Sequence, residues 1–98
     1  MTVPGPNDTE LVHASLAGNR EAFGRIVARY QALICSLAYS ATGSLSRSEE
    51  LAQDTFVAAW KQLAALREPA KLRAWLCGIA RHVISNAQRR AGREPPQT

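Results

Sequence analysis

Residues 46–66 read SRSEELAQDTFVAAWKQLAAL. The spacing predicts one helix. Ser46 is a candidate N-cap, and Glu49, three residues on, suits the return bond of a capping box. Neither Gly nor Pro interrupts the run before Pro69. Glu49, Glu50 and Asp54 gather toward the end where the helix dipole favours negative charge. At about 100° per residue the helix has two apolar faces. Ala52, Phe56, Ala59, Leu63 and Leu66 form one. Val57, Trp60 and Ala64 form the other, with Gln53 in line and Glu50, Asp54 and Lys61 at its border. A helix with two such faces sits in the middle of a bundle or offers one to a partner. The polar members of the second face favour a partner, because a buried Gln or carboxylate needs a bonding group inside.

The chain has 98 residues, enough for one small domain, and 46% are hydrophobic, so a folded core is expected. The net charge of +4 is unevenly placed. Residues 1–66 carry five Lys/Arg and six Asp/Glu, whereas residues 67–98 carry seven and two. A basic final third on a near-neutral body points to an acidic partner, most often nucleic acid. The alternative is a basic face that is merely solvated. Cys35 and Cys77 are far apart and belong to no CxxC or Cys/His cluster. They read as buried free thiols of a cytoplasmic protein, with no metal and no cofactor expected. Met1–Asn7 has no apolar core of a signal peptide, and no apolar run reaches membrane-spanning length.

Outward from the central stretch, the pattern stays helical. Residues 1–7 form a leader rich in Pro and Gly. Asn7 or Asp8 caps a short helix with Leu11, Val12 and Leu16 as its apolar face. Gly18 ends it and Asn19 caps the next. That second helix runs from about Arg20 to Ala41, with Phe23, Ile26, Val27, Tyr30, Leu33, Ile34, Leu37 and Ala41 at three- and four-residue spacing. Gly43 is the left-handed stop. Pro69 suits the first turn of a fourth helix, which runs to about Ala91 with Leu72, Leu76, Ile79, Ala80, Val83 and Ala87 as its core face. Gly92 stops it, and residues 92–98 begin a Pro-rich linker. The fold class is all-α: a bundle of three long helices plus a short N-terminal helix, expected as a monomer.

The fourth helix has a second stripe of its own: Lys71, Trp75, Gly78, His82, Ser85 and Arg89. Arg81 and Gln88 lie beside it, and Arg90 and Arg93 extend the charge. Arg and Lys neutralise phosphates, small residues admit a bulky ligand, and an aromatic ring stacks on a base. Trp75 read alone is more readily a half-buried flank of the core. A basic, Pro-stiffened loop at residues 66–71 precedes the stripe and offers a place for an unstacked base. No nucleophile stands in sequence beside His13 or His82, and no catalytic pattern emerges, so an enzyme is not expected.

SEELAQDTFVAAWKQL at residues 48–63 and RAWLCGIARHVISNAQRR at 73–90 together resemble region 2 of bacterial RNA polymerase sigma factors. The likeness is to the extracytoplasmic-function group, and GNREAFGRIVARYQALICSLA at 18–38 is similar to that group's first long helix. The resemblance implies that Glu50, Gln53, Asp54 and Trp60, with Val57 between them, dock on the clamp helices of the polymerase β′ subunit. It implies that residues 66–71 and the helix after them open the promoter minus-ten element and read its non-template strand. The candidate DNA-contacting residues are then Arg67, Lys71, Arg73, Trp75, Gly78, Arg81, His82, Ser85, Arg89 and Arg90. An anti-sigma factor is a further partner on that reading. Glu50 stands where the family usually has Asp, His82 where Asn is common, and Cys77-Gly78 where a bulky or basic pair is usual. The resemblance sets the domain at residues 8–91 and treats the chain as a fragment lacking the family's region 4.

Two other readings compete. One is a sigma-like interaction module with no direct DNA role, which needs only the α-helical docking stripe. The other is a general basic DNA-binding bundle, which needs only the basic stripe. Both stripes on successive helices favour the transcription-initiation reading.

Overall fold

A computed structural model describes residues 5–93. Four helices account for most of them: α1 Asp8–Leu16, α2 Arg20–Thr42, α3 Leu45–Gln62 and α4 Leu72–Arg93. The leader before Gly5 and the linker residues after Arg93 lie outside the described residues.

Capping explains where the helices begin. Asn7 Oδ1 accepts from the Glu10 amide at 2.8 Å, and Asn19 Oδ1 from the Ala22 amide at 3.1 Å. Ser44, not Ser46, caps α3: its Oγ accepts from the Arg47 amide at 3.3 Å. The expected Ser46–Glu49 capping box is therefore not formed, because Ser46 already lies inside the helix. Gly18 and Gly43 take φ of +100° and +66°, the left-handed conformation that ends α1 and α2 at little cost.

The end of α3 also differs from expectation. The α-helix stops at Gln62, and Leu63–Ala65 tighten into a 3-10 turn. Pro69 holds Glu68 extended, at φ −123° and ψ 94°, so the helix cannot continue from α3 into α4. Leu63 and Leu66 are nonetheless buried, so the apolar side survives the change of helix type. Pro69–Lys71 form a second 3-10 turn that leads into α4. At the other end α4 runs through Gly92, the expected stop, to Arg93.

The core joins all four helices. Val12, Ile26, Ile34, Leu63, Leu72 and Leu76 are fully buried, and Ala52, Phe56, Ala59, Ala80, Ile84 and Ala87 pack with them. Its energetic weight is that of apolar area removed from water, about 25 cal/mol per Å². Buried hydroxyls cost little because each finds a carbonyl one turn back. Ser48 donates to Leu45 and Thr55 to Leu51, both at 2.7 Å. Some expected core positions are not core. Leu16 is exposed and Ser15 is buried in its place; Ala41 is exposed, whereas Ala22 and Ala38 are buried. Ile79 and Val83 are half-buried, as are both free cysteines, which were expected inside.

α3 packs against α2 on one side and α4 on the other. α1 lies across α2 and also touches both 3-10 turns, so it supports the loop from behind.

Candidate functional site

The second apolar face of α3 is on the outside. Val57 is 54% exposed and Trp60 41% exposed, and Glu50, Gln53, Asp54 and Ala64 are exposed with them. These residues share about a third of the helix circumference, opposite Leu51, Thr55 and Ala59. Trp60 does not stand free. Its ring meets Phe23 of α2 edge-on, with centroids 4.9 Å apart and planes 63° apart. The pair walls a cleft of about 380 Å³ that Arg20, Phe56 and Val57 complete. A second cleft, of about 540 Å³, continues the groove between α2 and α3 past Val27, Cys35, Gln53 and Leu45. Leu45, 66% exposed, was not among the sequence candidates. It stands at the helix start, outside any repeat that would have marked it.

On α4 the structure brings most of the basic stripe to one exposed side. Lys71, Gly78, His82, Ser85 and Arg89 are exposed and Trp75 is half-buried against the core, a flank and a surface at once. Arg81 and Arg90 are exposed on either border. A hydrogen-bonded chain runs along the stripe. Asn86 lies 3.3 Å from His82 Nε2, and Arg89 donates to Asn86 Oδ1 at 2.6 Å. Asn86 thus holds the Arg89 guanidinium, a role its spacing of four from His82 and three from Arg89 would have suggested. Gln88 is used otherwise: its Nε2 donates to the Ala41 carbonyl at 2.8 Å and ties α4 to the end of α2. Arg73 is not brought to the stripe. It sits about 200° around the helix from Lys71, and its charge is felt at Tyr30.

The loop is short and braced. The Lys71 amide donates to the Glu68 carbonyl at 2.8 Å, and the Leu66 amide to Leu63 at 3.1 Å. Lys71 Nζ pairs with Glu68 at 3.3 Å, an exposed pair that a phosphate can readily replace. Arg67 is exposed. Behind the loop, α1 is pinned to α2 by Asp8, which accepts from Arg29 Nη1 at 2.8 Å and from the Tyr30 hydroxyl. Arg29 also donates to the Pro6 carbonyl at 2.8 Å. Burial, then the hydrogen bond to Asp8, push the Tyr30 phenol up to about 12. None of this cluster was read from sequence, since Asp8 and Tyr30 lie on different helices.

Among the described residues no group of three or more His, Cys, Asp and Glu is placed to hold a metal, and no helix is long and apolar enough to cross a membrane.

Comparison with known proteins follows the same residues. The family described as Sigma-70 region 2 matches residues 26–94. A probable RNA polymerase sigma factor RfaY of Xanthomonas campestris is 40% identical over 76% of this chain and 18% of its own length. The RNA polymerase sigma factor CnrH of Cupriavidus metallidurans is 37% identical over 76% of the chain and 40% of its own. The ECF RNA polymerase sigma-E factor of Haemophilus influenzae is 30% identical over 91% of the chain and 47% of its own. The chain thus spans less than half the length of each of these relatives. No solved structure matches it significantly.

Proposed function

The chain belongs to the Sigma-70 region 2 family, and on that premise we propose that it binds core RNA polymerase and helps recognise and melt the promoter minus-ten element. The functional unit is residues 8–91. The outer face of α3, with Glu50, Gln53, Asp54, Val57 and Trp60, is the polymerase-binding surface, and the β′ clamp helices are its partner. The loop at residues 66–71 and the outer face of α4 contact DNA.

One observation carries this reading. Val57 and Trp60 are exposed although the core lies one helix face away. Leaving them partly in water forgoes a share of the about 1.5–3 kcal/mol that full burial of such a side chain supplies. A partner that covers them recovers that energy, and the bordering carboxylates give it orientation and selectivity. The groove beside them, floored by Phe56, receives a side chain rather than a flat surface.

The DNA side divides by chemistry. Lys71, Arg81, Arg89 and Arg90 supply phosphate contacts, which a closed and an open duplex both offer. Melting needs a contact available only after opening. Trp75 and the braced loop supply it, as a wall against which an unpaired base stacks. Arg67, Gly78, His82 and Ser85 line the path between. Arg73 lies around the helix from that stripe and is given no part in the path.

The test is capture of core RNA polymerase by this chain, with and without single-stranded minus-ten DNA. Retention of polymerase that the Gln53→Ala, Trp60→Ala double variant loses is the expected result. Equal capture by the double variant would move the docking surface elsewhere.

A further inference from the structure

Arg47 belongs to no motif of the sequence and lies on α3, away from the stripe of α4. In the fold, α3 and α4 run antiparallel, so the start of one meets the end of the other. Arg47, Arg90, Ala87 and Ala91 line one cleft of about 190 Å³ there. Both arginines are exposed, and neither makes an ion pair among the described residues. Glu50, three residues from Arg47, is near enough in sequence to pair with it and does not.

The two charges have different explanations. Arg90 is in the last turn of α4, where the helix dipole favours a cation without any ligand. Arg47 is in the first turn of α3, where the same dipole disfavours one. That turn contains no acidic residue to offset it. A local arrangement that works against its own helix is a mark of function. The cleft walls are alanine, with no aromatic ring to stack on a base and no amide to read one. The two guanidinium groups are its only charged members, and they suit a phosphate.

We propose that Arg47 and Arg90 together hold a backbone phosphate of duplex DNA, at the end of α4 remote from the loop. This rests on the reading of α4 as the DNA-contacting helix. Arg90 follows Arg89 of the basic stripe in sequence, and both are exposed, so the cleft lies at the border of that stripe. Leu72 to Arg90 spans about 27 Å at 1.5 Å per residue, or about eight base-pair steps of 3.4 Å. One end of α4 therefore works on opened bases while the other grips strands that are still paired. The grip fixes where the open segment begins without reading any base.

The experiment uses the chain assembled with core RNA polymerase and fluorescent DNA probes across a salt series. The probes share one unpaired minus-ten strand and carry duplex arms of either zero or about twelve base pairs on each side. With the long arms, Arg47→Ala is expected to lower the slope of log affinity against log salt by about 0.9. Without arms it is expected to match the unaltered chain, and Arg47→Lys is expected to restore most of the slope. If Arg47→Ala leaves the long-arm slope unchanged while Arg81→Ala lowers it, the cleft is not a phosphate site and the DNA reading of α4 stands. If neither changes it, both fall. Weaker assembly with polymerase in Arg47→Ala, at unchanged DNA slope, would make Arg47 a protein contact and also overturn the proposal.

Discussion

α3 and α4 bury similar inner faces and expose opposite outer ones. Inside, both present Ala, Leu and other apolar groups to the same core. Outside, α3 shows Val57 and Trp60 edged with carboxylates, whereas α4 shows arginines, a histidine and small residues. The inner faces are interchangeable in kind because a core asks only for apolar volume. The outer faces differ in chemistry, one apolar and edged with acid and the other basic, which is what the proposed pairing of a hydrophobic protein surface with a polyanion asks for. On the proposed function, each partner has its own helix.

The largest expected effect tests the inner faces. Leu76→Ala removes a fully buried side chain of α4 and should cost about 2–5 kcal/mol in denaturant unfolding. A cost below about 1 kcal/mol would mean that the inner faces are not a shared core. Next comes the outer face of α3. Trp60→Ala should weaken polymerase binding by about 2 kcal/mol or more, and lower stability by less than Leu76→Ala, since Trp60 is 41% exposed and gives up mainly its edge contact with Phe23. If it unfolds the domain as Leu76→Ala does, the distinction between the two faces fails.

A smaller effect is expected at the clasp that keeps α1 behind the loop. Tyr30→Phe removes the hydroxyl from Asp8 and should cost about 1–2 kcal/mol. The pH dependence is diagnostic. Tyr30 holds its proton more tightly in the folded chain, at about 12, than at the ordinary value of 10.0. Its stabilisation is therefore complete below pH 10 and declines as pH rises through about 12. That decline should be absent from Tyr30→Phe unfolding curves. The smallest effects belong to the outer face of α4. Arg89→Ala should flatten the salt dependence of DNA binding by about one unit without changing sequence preference. Asn86→Ala, which only releases Arg89, should produce a fraction of that change. Trp75→Ala should do the reverse, altering preference for the open strand at constant slope.

The four helices, most of their inner faces and the second faces of α3 and α4 were legible along the chain, although Leu51, Thr55 and Ile84 joined the core unread while Ile79 and Val83 stayed half-buried. Helical periodicity is a property of neighbouring residues, so it leaves its trace in sequence whatever the rest of the chain does. The same holds for Gly18, Gly43 and Asn19, whose conformational or capping roles are local. Local reading failed where two local answers were equally good. Ser44 and Ser46 both suit an N-cap, and the fold selected Ser44. Leu11, Val12, Ser15 and Leu16 fit more than one helix face, and the packing of α1 on α2 buried Ser15 and left Leu16 outside.

What tertiary structure alone decided lies between helices. Phe23 against Trp60, Asp8 between Arg29 and Tyr30, Gln88 on the Ala41 carbonyl and Arg47 beside Arg90 each join residues more than twenty positions apart. Sequence determined that α3 has a second apolar face centred on Val57 and Trp60; the fold put that face outside. Sequence did not determine that Phe23 would wall the groove beside that face, or that the basic stripe of α4 would meet an arginine from α3. Those meetings depend on the register and crossing of one helix on another. Burial of the whole core sets both, and no single helix carries that information in its own repeat.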